Sequence, residues 1–577
     1  MRLSAPTVRP ALACLQDDVD GRRMMDTLGR LVGWTKLAGS QSEAESLAFL
    51  RQQLDAMGFA TSLIWHDAYI SLPGRARLEV DGLSYHAITH SMGLSSPAPG
   101  LTAGIRDAGG GSEAELQGLD GGGNVLLVDG IASPDVARRA SRAGAAAVVH
   151  VSPHEHLHEM CVSPVWGNPS CETVGDLPTC VVVTISRADG GAVRARLRFD
   201  RNLRATLHAE VSSSWRKTPI LVAHLPSRGA EGDEPFVLLS GHHDAWHYGA
   251  MDNGSANASM LEVARLCASR RAKWHRGLRL CFWSGHSQGR YSGSAWYADE
   301  HWADLERHCV AHVNVDSLGA VGATVLAETG AMAELRTLAA QAIAAETGQR
   351  LAGRRKARAA DDSFGGIGIP SMFGSLSRQP RSADGMRNAL GWWWHTPEDL
   401  IDKIDETNLV RDTRIVLDVV WHLLTDEILP LDYVAKVDDL LAVLEPLQTE
   451  LKDVLDLSDL VETAHLVRLL AAAVGTFQSG ADPKLVNHVF MRLSRTLVPL
   501  DYTSGDRFSH DPALSQPAWP MLDPLRRLAA APVGTSQHYL AQVSAVRARN
   551  RVAFHLGEAV NALALVVPLN AARAAAG

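Results

Sequence analysis

Leu47, Leu50, Leu54 and Met57 are spaced three and four apart, which predicts a helix over about 43–57 closed by Gly58. The stretch ATSLIWHDAYISL that follows has the character of a strand. Beyond a Gly- and Ser-rich passage, the apolar run 125–128 predicts a buried strand, Ser133-Pro134 a helix N-cap with its first helical residue, and Gly144 the stop. A second strand is expected over 145–151, completing a βαβ unit. From Pro235 the short apolar runs 236–239, 278–282 and 312–315 alternate with helical stretches such as 259–268. Alternation of this kind predicts an α/β fold with a largely parallel sheet and helices on both faces. From Pro430 onward strand signals end, and Leu440, Leu444, Leu447, Leu451 and Leu455 keep helical spacing. The end of the chain is therefore expected to be a helical domain. No tandem repeat is evident.

Composition narrows the class without naming it. Of 577 residues, 46% are apolar and 21% charged, which excludes disorder or coiled coil as overall descriptions. Lys and Arg total 55 against 64 Asp and Glu, a net charge of −9, so no general attraction to nucleic acid or anionic lipid is expected. Seven Cys, an odd number, do not form a disulfide framework. No window approaches a membrane-spanning length, and the N-terminus lacks the apolar run of a secretory signal, so a soluble cytoplasmic protein is expected. His is abundant at 24, and Trp at 14 outnumbers both Phe and Tyr.

The densest polar cluster begins where the strand PFVLLS ends, as GHHDAWHYGAMDN (241–253). Asn314-Val315-Asp316-Ser317 follows the 312–315 strand, and His395-Thr396-Pro397-Glu398-Asp399 follows a Trp triplet. In α/β sheets such strand ends line the site. Imidazole and carboxylate groups gathered from separate loops suit Zn, Mn or Fe.

SGHHDAWHYGAMDNGSANASMLEVARL, HVNVDS and WHTPEDLIDKID resemble, in order and spacing, the metal motifs of the co-catalytic zinc aminopeptidases, and most closely the glutamate carboxypeptidase II and transferrin receptor branch. The resemblance implies a discontinuous catalytic domain (1–92 and 205–428), an inserted protease-associated domain (93–204) and a helical, dimerising domain (429–577). It further implies that His242 and Asp316 hold one metal ion, that Asp252 bridges two, and that His395 holds the second. One or two divalent ions, Zn first, are expected, with a small-molecule or peptide-like substrate and a homodimer.

One loop departs from the family. Where the family carries two adjacent glutamates, one a general base and one a ligand, this chain reads Trp283-Ser284-Gly285-His286-Ser287-Gln288. Anchoring on Trp283 puts His286 and Ser287 at those positions; anchoring on Gly293-Ser294 puts Ser287 and Gln288 there. No Asp or Glu occurs from Val263 through Ala298. Three readings follow: a hydrolase of an amide-type bond with His286 as base or ligand and Ser287 beside it, a metal-dependent lyase or other non-hydrolytic enzyme, or a non-catalytic relative. His243, His247, Tyr248, Arg290 and Trp394 are candidates for substrate contact, with Arg378 and Arg381 as further carboxylate binders. Asp361 and Asp362 are expected to be structural. His154-Glu155-His156-Leu157-His158 fits H-E-x-x-H, but Pro153 and Pro164 leave little room for the helix that motif needs.

Overall fold

The computed structural model describes residues 10–117, 119, 122–229, 233–382, 389–477 and 481–568. Eleven strands form one sheet: β1 (Ala60–Val80), β2 (Leu83–Thr89), β3 (Leu101–Asp107), β4 (Val125–Asp129), β5 (Ala147–Val151), β6 (Val181–Ile185), β7 (Arg204–Leu225), β8 (Phe236–His242), β9 (Gly277–Trp283), β10 (Cys309–Asp316) and β11 (Ser371–Ser375). Their order is β1-β2-β6-β5-β4-β3-β7-β9-β8-β10-β11, with β1 also paired to β7. Two all-parallel blocks are visible, β3-β4-β5-β6 and β9-β8-β10-β11. Antiparallel β1 and β7 run past both, pairing from Ala60 and His224 to Val80 and Ala205.

Each expected element is present with shifted ends. The first long helix spans Gln41–Ala56, where Ser40 caps it by accepting the Glu43 N–H. Ser133 caps Pro134–Arg142 in the same way. The inner parallel strands are largely apolar because both faces are covered; every residue of β8 is buried. The first block has its own core of Val125, Val149, Val183 and Leu207, separate from the core of Leu239, Leu280 and Val313 that the second block shares with the helices.

The chain after Pro430 is helical: Tyr433–Leu451, Ser458–Phe477, Pro483–Tyr502, Asp523–Ala530 and Ser536–Leu563. Buried Arg495 ties this layer to the sheet by donating to the carbonyls of Leu305, Glu306, Gly368 and Cys309. Among the described residues, no helix is long and apolar enough to cross a membrane.

Candidate metal centre

In the second block the chain passes from β8 outward to β9, then crosses back over β8 to β10. This reversal opens a crevice at the carboxyl ends of β8 and β10, the usual place for a site in an α/β sheet. β8 ends in His242 and β10 in Asp316. Asp252 lies in the turn before the helix Ala256–Ser269, and its peptide to Asn253 is cis. His395 holds a left-handed backbone, φ 58°, at the end of the Trp triplet.

These four side chains meet. His242 Nε2 lies 2.9 Å from Asp252 Oδ1 and 3.9 Å from Asp316 Oδ1, and His395 Nε2 lies 2.9 Å from the other Asp252 oxygen. The remaining ring nitrogens are held by backbone carbonyls, His242 Nδ1 by Asp244 at 2.8 Å and His395 Nδ1 by Glu159 at 2.6 Å. Each ring thus donates through Nδ1 and turns the lone pair of Nε2 inward, as metal-ligating histidines do. Despite the short approach, His242 Nε2 and Asp252 Oδ1 are buried without a hydrogen-bond partner. A buried lone pair facing a carboxylate oxygen, with no proton well placed between them, fits a divalent cation. Burial works against charge on His242, yet Asp252 and Asp316 outweigh it and raise its pKa well above the ordinary value. Burial likewise opposes the Asp252 charge, but His242 and His395 hold its pKa well below the carboxylate range.

Asp399 aims the bridging residue. Its two oxygens accept the N–H groups of Met251 (2.9 Å) and Asp252 (3.0 Å), and burial pushes its carboxyl up to about 7. Asp244 joins the loops after β8 and β9 by accepting the N–H of His286 at 3.1 Å and of Ser287 at 2.8 Å.

The altered loop stands beside the cluster. The His286 ring stacks on His242 at 3.7 Å between centroids, and ligand-type atoms of His242, His286 and Asp316 all lie within 4.8 Å of one another. His286 Nδ1 donates to Asp361 Oδ2 at 2.9 Å. Asp361 is therefore not merely structural: it fixes which nitrogen of His286 stays free. Asp362 does serve structure, binding buried Lys356. Side-chain direction differs among the residues that the two alignments place at the glutamate positions. His286 and Ser287 line a cavity of about 310 Å³ together with Asp252, Asp316 and His395, whereas Gln288 is fully buried between Ala38 N–H and the Ala245 carbonyl.

Three substrate-contact expectations need correction. His243 is buried, with both ring nitrogens engaged by Asn257 and Ser46, so it supports the first long helix and does not line the cavity. Tyr248 faces solvent, and its backbone carbonyl accepts from buried Lys36. His247 lies off this cavity but lines a smaller one with Asp252 and His395, 3.3 Å from Glu159. Arg290, Arg378 and Trp394 do line it, Trp394 stacked on His395 at 3.6 Å. Arg381 instead pairs with Glu328 at the surface.

The H-E-x-x-H stretch forms no helix. His154 and His158 approach to 3.2 Å between Nε2 atoms, with no third ligand-type group beside them among the described residues. The segment braces the metal centre instead. His158 binds the Trp394 carbonyl, and Glu159 exchanges two hydrogen bonds with His395.

Fold and site together define an α/β core whose strand ends gather imidazole and carboxylate groups suited to a divalent metal. Residues 221–420, which contain every residue of that centre, match the model of Peptidase family M28. Probable glutamate carboxypeptidase VP8 of Zea mays is 37% identical over 92 residues, 15% of this chain and 13% of that protein. The match thus spans a small part of that relative's length. Aminopeptidase YwaD of Bacillus subtilis is 24% identical over 457 residues, 74% of this chain and 91% of its own. Among solved structures, the zinc aminopeptidase BSAP of Bacillus subtilis has a TM-score of 0.55 at 20% identity, covering 71% of this chain and 96% of that one.

Proposed function

We infer that this protein is a metal-dependent hydrolase of an amide-type bond in a small or peptide-like substrate. The convergence of His242, Asp252, Asp316 and His395 carries that reading, and the names of the similar proteins support it. These four residues would hold one or two divalent ions, Zn first and Mn or Fe as alternatives, with His286 within reach as a further ligand. A bound cation would polarise the substrate carbonyl and activate water near neutral pH.

The chain's own residues supply the rest. Asp361 accepts the Nδ1 proton of His286, which leaves Nε2 free to take a proton from water and return it to the leaving amine. The family's glutamate is replaced by an imidazole that an aspartate orients. Ser287 lines the cavity next to it while its backbone N–H is committed to Asp244. Trp246 and Trp394 wall the cavity and limit water around the reacting bond.

The separate core of the β3–β6 block supports reading 93–204 as an inserted protease-associated domain. Exposed Leu540, Val543 and Phe554 on Ser536–Leu563 support dimerisation through the helical end.

Elemental analysis after growth with Zn, Mn and Fe should give at least one metal equivalent per chain; none would defeat the reading. Turnover of acyl-amino-acid and dipeptide libraries in 18O-water should place label in the carboxyl product. Products without label would indicate a lyase, and no product with any substrate a non-catalytic relative.

A further inference from the structure

A cavity of about 820 Å³ lies at the end of the second block that faces away from the metal centre. Pro235 and Arg276, which line it, immediately precede β8 and β9, and Val310 is the second residue of β10. The amino ends of these parallel strands therefore form one wall, while their carboxyl ends carry the metal centre about 20 Å away. The helix Pro483–Tyr502 forms the facing wall. Lys484, His488 and Arg492 recur every four residues on the face that lines the cavity, and buried Arg495 follows one turn further on.

Two guanidinium groups of this lining, those of Arg276 and Arg495, are buried without a carboxylate in an ion pair among the described residues. The Nη atoms of Arg276 donate to the carbonyls of Leu423 (3.0 Å), Asp426 (2.7 Å) and Glu427 (2.9 Å), and its Nε has no protein partner among the described residues. Arg495 too is held by carbonyls alone. Carbonyl dipoles satisfy hydrogen bonds but bring no net charge. Burial pushes Arg276 down to about 10 and lowers Arg495 as well, yet both remain charged near neutral pH. The Asp426 carboxylate, whose field reaches Arg276, is bonded to His422 at 3.1 Å.

The acidic groups of the lining are mostly committed elsewhere. Asp233 lies 2.6 Å from His308, and Glu234 accepts both the N–H and the hydroxyl of Ser227. Asp482 caps its own helix by accepting the Lys484 N–H at 2.9 Å. Glu306 and Glu427 remain, at the lining and without an ion pair. Against these two stand Arg276, Arg495, Arg307 and Lys484, equally without an ion pair among the described residues, and Arg492, whose nearest carboxylate is Glu558 at 3.9 Å.

Uncompensated buried charge is expensive, and a ligand that supplies the missing anions removes the cost. Guanidinium and ammonium groups spread over two facing walls suit a molecule with more than one anionic group. We propose that this cavity is a second ligand site, which takes a small multivalent anion, a phosphate ester or a polycarboxylate, between Arg276 and Arg495 on one side and Lys484 and Arg492 on the other. The site is separate from the crevice at the carboxyl ends of β8 and β10 and does not rest on the hydrolase reading.

The test is calorimetric titration of the full-length protein as purified with pyrophosphate and with citrate, in a buffer free of other multivalent anions. At least one of the two should bind with a Kd below about 1 mM. Binding of pyrophosphate alone identifies a phosphate-bearing ligand and of citrate alone a polycarboxylate; either supports the proposal, as does binding of both. The double variant Lys484→Gln/Arg492→Gln, at exposed positions, should weaken binding by about tenfold or more. Arg276→Gln should do the same, and if it melts well below the wild type the exposed pair decides. Both probes also ligate metal ions, so the titration is repeated on folded Asp252→Ala, where binding to this cavity should be unchanged.

No binding of either probe below about 1 mM overturns the proposal. So does binding that Lys484→Gln/Arg492→Gln leaves unaffected, or binding that is lost in Asp252→Ala.

Discussion

The loops that leave β8 and β9 start from adjacent parallel strands, yet they carry different kinds of chemistry. After β8 the chain presents His242 and, ten residues on, Asp252, each aimed at a common point by backbone contacts from Asp244 and Asp399. After β9 it presents His286, Ser287 and Arg290, with no acidic residue. The first loop carries imidazole and carboxylate groups of metal-ligand type, and the second carries imidazole, hydroxyl and guanidinium groups and no carboxylate. On the proposed reading, the difference separates holding a metal from moving a proton at this sheet end. Asp244 connects them mechanically by binding the backbone of the second loop, so the replacement of side chains has not detached one loop from the other.

The largest effect should come from the first loop. Asp252→Ala removes the carboxylate that faces both His242 and His395, leaving two inward lone pairs with nothing to bridge them. Metal content should fall, and turnover should drop by about four orders of magnitude or more. A variant that keeps both metal and turnover would show that the cluster is a structural polar network. The second loop should respond differently. His286→Ala is expected to retain metal and lose about 10²- to 10⁴-fold in kcat, the range of a general base. Loss of metal in that variant would make His286 a ligand and erase the division of labour between the loops.

Asp361→Asn should have a smaller effect, because it weakens the orientation of His286 without removing the ring. A fall of about ten- to a hundredfold in kcat, with KM and metal content unchanged, is expected. An unaltered kcat would show that stacking on His242 alone holds the imidazole.

How much of this was legible in the sequence follows from distance along the chain. The ligand set could be read because each motif is local and sits at the end of an apolar run. The register of the second loop could be read from Trp283, which is fully buried and fixes where the strand ends. Asp361 could not, since it reaches His286 across 75 residues and its neighbour Asp362 does ordinary structural work. Glu159 escaped notice for another reason. It positions His395 through its backbone carbonyl, and a carbonyl leaves no trace in residue identity. His243 misled because it directly follows His242 in the sequence, yet its ring is taken up by Asn257 and Ser46.

That opposite behaviour of neighbouring histidines extends through the sheet and supplies the smallest test. Away from the metal centre, buried His66 and His150 have their pKa lowered to about 4 by burial. His66 is satisfied as a neutral ring, bonded to the Asp67 carbonyl and Thr218 and stacked on Trp296 at 4.7 Å. Unfolded, both rings would take up protons near pH 6.5. Between that value and about 4 the unfolded chain binds more protons than the folded one, so stability falls as pH falls through this window. Each such group contributes a slope of up to about 1.4 kcal/mol per pH unit. Urea midpoints measured at pH 7.5 and 5.5 should therefore decrease, and His66→Gln, which keeps a neutral donor and acceptor near Thr218, should flatten part of the decrease. The contrast with the site is then sharp: His242, which faces Asp252 and Asp316, favours the proton, and the rings built into the sheet oppose it. An unchanged acid slope in His66→Gln would mean that the sheet histidines do not set the acid limit of the fold.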